Sequence, residues 1–344
     1  MRNLSTKILY FLLFALVFSM TACTSKGDIS DSERQSLMKL SRTHFKILPN
    51  RMPGSENDSK KLIDLGEKLY FDTRLSENDK ISCNSCHIID GKKGGVDNLP
   101  TSPGTRGKNG DRNSPTVLNA GLQFVQFWDG RAADLKEQAK GPILNSVEMA
   151  MPGEDAVVRK LRTIPEYTAL FAAAFPDASQ PLTYDNLAEA IAAFERTLIT
   201  RDRFDDFLRG NIQALSTTEL NGLNLFMQKG CTTCHTGALL GGNQYQKMGL
   251  IKPYENIVDT GRYHETGIES DRYMFKVPIL RNIKLTGPYF HDGAEPDLHQ
   301  AVIRMAKMQL GLDLLNMEAL PLVSFLETLT DKKLAAANLP ETQN

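Results

Sequence analysis

Cys83-Asn84-Ser85-Cys86-His87 and Cys231-Thr232-Thr233-Cys234-His235 decide how this chain folds. Of its five cysteines, four fall in these two C-x-x-C-H elements. Two thiols at that spacing reach the two vinyl groups of one porphyrin as thioethers, and the adjoining imidazole ligates the iron from below. The motifs begin 148 residues apart, too far for a zinc ribbon, whose cysteine pairs stand about 15–20 residues apart. Redox C-x-x-C disulfides would leave the histidine after each pair unexplained. The reading is two covalently bound haem c groups, on Cys83, Cys86 and His87 and on Cys231, Cys234 and His235.

Each motif follows a segment with helical periodicity. Leu62, Leu65, Leu69 and Tyr70 precede the first, and Leu220, Leu223, Phe226 and Met227 the second. Ser216 and Glu219 form a capping-box pattern, with Gly230 as the stop. Residues 186–199 read as an amphipathic helix through Leu187, Ile191, Phe194 and Leu198, and helices are expected at 298–310 and 320–329. Residues 236–275 read as loops. Strand signals are few and short, so the expected class is mainly α: two cytochrome c-like haem domains, 45–200 and 201–344, divided at Thr200-Arg201-Asp202-Arg203. The C-terminal tail is free to return to the first domain.

The 344 residues carry 40 Lys+Arg against 41 Asp+Glu. Arg2 and Lys7 precede an apolar run over 8–20, then Thr21, Ala22 and Cys23, the order of an export signal. Thirteen apolar residues are too few for a membrane span, which needs about 20. Residues 1–22 are therefore read as a removed signal. Met20-Thr21-Ala22-Cys23 resembles a lipobox that would place lipid on Cys23, with 23–44 as a solvated tether. Without Arg2 and Lys7 the balance is −3, which lacks the basic excess that nucleic-acid binding needs. Export to the periplasm fits the haem motifs.

An iron with one open face can bind peroxide, whereas an iron ligated on both faces shuttles electrons. Function therefore turns on what lies opposite His87 and His235. His44, His264, His291 and His299 remain, and only His44 precedes the proposed boundary, at the end of the tether. Met248, Met274, Met305, Met308 and Met317 follow the second motif; Met305 and Met308 share the helix after His291, which makes it the place to look, and a thioether there would raise that haem's potential.

The chain resembles bacterial di-haem cytochrome c peroxidases, in the wider group that includes MauG, over nearly its whole mature length. The resemblance rests on Phe71-Asp72-Thr73-Arg74-Leu75-Ser76, on residues 95–102 (GVDNLPTS), on residues 112–120 (RNSPTVLNA) and on Phe127-Trp128-Asp129-Gly130-Arg131-Ala132. Val147-Glu148-Met149, residues 275–282 (FKVPILRN) and Pro288-Tyr289-Phe290-His291-Asp292-Gly293 complete it. It implies a peroxidatic first domain and an electron-transferring second one, with Met305 as the second iron's distal ligand. It also implies Glu148 and Gln138 as the acid and amide of the peroxide pocket, Trp128 between the haems, and a calcium ion on Asn113, Thr286 and Pro288. Homodimers are common among such proteins. One departure matters: the histidine that commonly blocks the first iron is replaced by Thr105, so the first iron is expected open as isolated.

The expected activity is reduction of hydrogen peroxide to water, with electrons from a small soluble donor, a cytochrome c or a cupredoxin. Two alternatives stand beside it. One is a MauG-like oxidation of a protein side chain, for which Tyr263 and Tyr289 could serve at the second iron. The other is a non-enzymatic di-haem electron carrier with both irons fully ligated.

Overall fold

The computed structural model describes residues 28–339; the signal and Cys23 readings lie outside them. The helices are α1 Asp31–His44, α2 Lys60–Phe71, α3 Cys83–Cys86, α4 Leu135–Leu144, α5 Glu154–Arg162, α6 Pro165–Ala174, α7 Tyr184–Glu195, α8 Arg203–Arg209, α9 Thr217–Gln228, α10 Tyr263–Thr266, α11 Leu298–Met305, α12 Asn316–Glu327 and α13 Lys332–Ala337. One two-stranded antiparallel sheet pairs β1 Tyr245–Lys247 with β2 Met274–Lys276, Tyr245 opposite Lys276. The mainly helical class holds, and the sheet falls partly in the stretch read as loops.

Two large apolar clusters form the core. The first draws on α2, α4, α5, α6 and α7 through Leu65, Ile143, Leu161, Phe171 and Leu187. The second draws on α8, α9, α11 and α12 through Phe204, Phe207, Leu223, Ala301 and Phe325. Each pre-motif helix is crossed by another at a glycine. A Cβ on Gly66 of α2 would stand 1.8 Å from the Ala190 carbonyl of α7, and one on Gly222 of α9 would stand 1.8 Å from the Pro321 carbonyl of α12. Only a residue without a side chain lets the backbones approach that closely. Each motif is thereby held at the end of a helix wedged into its own cluster.

Both chain ends cross over. The expected solvated tether is corrected over 31–44: Ser30 caps α1 in a capping box, and Met38 with Phe45 is buried in the second cluster. Arg34 is drawn in because its guanidinium donates to the carbonyls of Ile29, Ile212 and Leu215, which offsets its desolvation. At the other end Leu334 of α13 packs in the first cluster, and Asn338 donates to the Lys92 carbonyl.

The segment read as a domain boundary is not an exposed linker. Asp202 and Asp205 both pair with the fully buried Arg281, the second contact at 2.9 Å. Thr200 is tied to Asn119 by two hydrogen bonds, and Asn282 accepts from the Asp331 amide. This polar knot joins the two clusters. The helix expected over 186–199 spans Tyr184–Glu195, ending where Arg196 turns to Asp58 and Glu189.

Candidate haem and peroxide site

The two motif histidines are prepared alike. His87 Nδ1 lies 2.9 Å from the Pro115 carbonyl, and His235 Nδ1 lies 2.9 Å from the Leu240 carbonyl. A carbonyl can only accept, so Nδ1 carries the proton and Nε2 keeps its lone pair for a metal. Burial pushes both imidazoles toward the neutral form. Cys83, Cys86, Cys231 and Cys234 form no disulfide with one another. Among the described residues no cluster of His, Cys, Asp or Glu suits a bare metal ion, so the thiols are not arranged as a zinc site.

A large apolar cavity opens over the second motif. Cys231, Cys234, His235 and Met305 line it together, with Trp128, Lys276 and His291 at its side toward the first half. Met305 closes α11, and the chain then widens into a π-helical turn over Ala306–Leu310, a distortion frequent at functional sites. Met308 is buried but outside the lining; its carbonyl accepts from the amides of Ile251 and Lys252. The apolar cavity wall, the two cysteine side chains uncommitted to a disulfide and the lone pair of His235 together fit a haem.

Glu148 and Thr105 meet at the backbone, with the Glu148 charge felt at Cys83 and Cys86 of the first motif. The Thr105 amide donates to the Glu148 carbonyl at 2.7 Å, and the Thr105 hydroxyl is buried with no partner. The Glu148 carboxyl accepts from Asn145 Nδ2 at 2.7 Å. Burial raises its pKa, opposed by Arg131 and Asn145. Gln138 is half-buried on α4, whose C-terminal end folds against 149–151, and is not hydrogen-bonded to Glu148. Sequence reasoning passed over Asn145, although an Asn three residues before an acid is a local signal.

Trp128 lies between the halves. Its Nε1–H donates to the Asn113 carbonyl at 2.8 Å, and its own carbonyl accepts from the Lys276 amide. Asn113, Thr286 and Pro288, expected around calcium, line the cavity together. The Asn113 amide nitrogen donates to Leu99 and Pro100. No hydrogen bond among the described residues ends on Asn113 Oδ1 or on the Thr286 and Pro288 carbonyls. Three uncommitted hard oxygens fit that ion.

The other histidines separate. His44, the one spare histidine before the proposed boundary, stands beside the second motif, where its carbonyl accepts from the Gly237 amide. His264 is exposed beside Glu265, and His299 binds the Asn316 carbonyl. His291 is buried, stacked on Phe275 at 4.2 Å, with Nε2 unpartnered.

Comparison with known proteins agrees with this geometry. A model of the family "Di-haem cytochrome c peroxidase" matches residues 60–213. Cytochrome c551 peroxidase of Nitrosomonas europaea is 48% identical over 271 residues, covering 78% of this chain and 80% of that protein. The chain belongs to the di-haem cytochrome c peroxidase family. Cytochrome c551 peroxidase of Pseudomonas aeruginosa is 45% identical over 296 residues, covering 84% and 85% of the two chains. Among solved structures, a MauG-like protein associated with microbial copper homeostasis superposes with a TM-score of 0.73 at 28% identity, over 85% of this chain and 95% of that one. Family membership implies two haem c groups.

Proposed function

We propose that this chain is an exported peroxidase that reduces hydrogen peroxide to water at the His87 site. Electrons enter through the His235 site from a small soluble cytochrome c or cupredoxin. The observation that carries the reading is an asymmetry. His235 shares its cavity with a thioether, Met305, whereas the loop over the first motif presents a hydroxyl, Thr105, and a buried carboxyl, Glu148.

When bound, the haems supply the irons that take up and pass on two electrons. The chain's residues manage protons: Glu148 accepts one from the inner peroxide oxygen and returns it to the outer, which leaves as water. Asn145 orients that carboxyl, and Gln138 supplies an amide from the same structural unit. Peroxide, two electrons and two protons give two waters. Trp128 bridges the halves along the electron path. Asn113, Thr286 and Pro288 hold a calcium ion. The domains meet at 200–203, Cys23 carries lipid, and the protein works in the periplasm, with a homodimer as its expected assembly. Among the described residues no helix is long and apolar enough to cross a membrane.

Side-chain oxidation of a protein, the MauG-like alternative, is disfavoured by the tyrosines. Tyr289 donates its hydroxyl to the Ile283 carbonyl, and Tyr263 lies under Arg272, outside the cavity lining. A pure carrier would need a second ligand on the first iron, and the residue the resemblance sets there is Thr105, whose hydroxyl is a poor iron ligand. The test is rapid mixing of fully oxidised protein with peroxide, alongside electron paramagnetic resonance. An immediate change at the first haem, with one high-spin and one low-spin signal, is expected; two inert low-spin haems would refute the proposal.

A further inference from the structure

The wall of the second cavity contains no aspartate or glutamate, and its two cationic residues are Lys229 and Lys276. Lys229 is part-exposed and faces Glu318 at 3.3 Å. Lys276 is different: it is 4% exposed, and its ammonium makes one hydrogen bond, to the Val125 carbonyl at 3.0 Å. The acid whose charge acts on it, Asp129, is already held by Arg112 and Arg131 at 2.5 and 2.8 Å. A buried ammonium with three donors and one neutral acceptor is costly, and burial, opposed in part by Asp129, drives Lys276 down to about 7.

We propose that Lys276 is the buried counter-ion of a haem propionate at the Cys231–Cys234–His235 site, and that its charge raises the reduction potential of that centre. Porphyrins of this class carry two carboxylates, and the cavity supplies no other buried cation for them. Position supports the pairing: β2 places Lys276 among the residues that line the cavity, and its amide donates to the Trp128 carbonyl at 2.7 Å. A carboxylate beside the ammonium would hold it charged at neutral pH, and a cation near an iron favours the reduced form, which carries one positive charge fewer.

The inference rests on haem occupying this site, so the test reports loading separately from tuning. Haem content per chain is measured first in wild type, Lys276→Met, Lys276→Gln and Lys276→Arg. Midpoint potentials of both haems are then read by spectroelectrochemical titration. With two haems per chain, the second midpoint is expected to fall in the Met and Gln variants, to be restored by Arg, and the first to stay fixed. An unmoved second midpoint, or equal shifts of both, overturns the pairing. If neither neutral variant loads, resonance Raman decides between wild type and Lys276→Arg. A shifted propionate bending band supports contact, and coincident bands overturn it.

Discussion

The indole of Trp128 donates to the backbone carbonyl of Asn113 at 2.8 Å, two residues before Pro115, whose carbonyl fixes the His87 imidazole. One short loop therefore positions an aromatic ring, the histidine of the first haem motif and an uncommitted side-chain oxygen. Trp128→Phe keeps the ring and deletes the donor, leaving that carbonyl unpaired. A destabilisation of about 1–3 kcal/mol is expected, read by chemical denaturation at unchanged haem content, with slower oxidation of the second haem by peroxide. Unaltered stability would show that the hydrogen bond is dispensable.

Glu148→Gln removes the proton carrier and keeps the shape. Peroxide turnover should fall by roughly 10²–10⁴-fold while the resting spectrum stays the same. Because burial raises this carboxyl and its work requires the ionised form, the rate should decline on acidification at a higher pH than for an ordinary carboxylate. The glutamine variant should lose that limb in steady-state pH profiles.

Thr105→His places an imidazole where the buried hydroxyl stands. The oxidised variant should show a low-spin first iron and react with peroxide only after one-electron reduction. Stopped-flow spectra of the oxidised form check this, and an unchanged rapid reaction would mean that the loop does not reach the metal.

Asn113→Ala deletes one of three uncommitted oxygens. Elemental analysis should find about one calcium per wild-type chain and clearly less in the variant, with a chelator reproducing its spectral changes in wild type. Equal metal content in both proteins counts against the site.

Burial holds the Glu195 carboxyl at about 8, far above the ordinary value near 4.3. Between those values the folded chain keeps a proton that the unfolded chain releases. Stability is thus greatest below the lower value and falls as pH rises toward the upper, by at most about 1.4 kcal/mol per pH unit. Glu195→Gln should flatten that decline in denaturation series across neutral pH; a parallel decline would place its origin elsewhere.

The haem motifs and their helices are legible because their signals are local. A Cys-x-x-Cys-His run, the Ser216–Glu219 cap and the stop at Gly230 each lie within a few residues. Features that reading missed depend on partners distant in sequence. Arg34 looks solvated until the carbonyls of Ile212 and Leu215 appear beside it. Thr200-Arg201-Asp202-Arg203 reads as a polar joint until Arg281 is packed onto Asp202. Removing that guanidinium by Arg281→Met would leave buried Asp202 without a cation and Asp205 with only Arg209 at 3.7 Å, the costly way to break an ion pair. The site was legible where a motif names a residue, and illegible for Lys276, whose significance comes from the absence of acids around it.

The exchange of chain ends, α1 in the second cluster and α13 in the first, forbids cutting this protein into two self-sufficient modules at residue 200. Either fragment would lack a piece of its own interior: Leu334 on one side, Met38 and Phe45 on the other. During synthesis from the N-terminus, α1 would emerge roughly 160 residues ahead of the helices that seat it. Its docking must therefore be a late event in folding, made after the long intervening loop has closed.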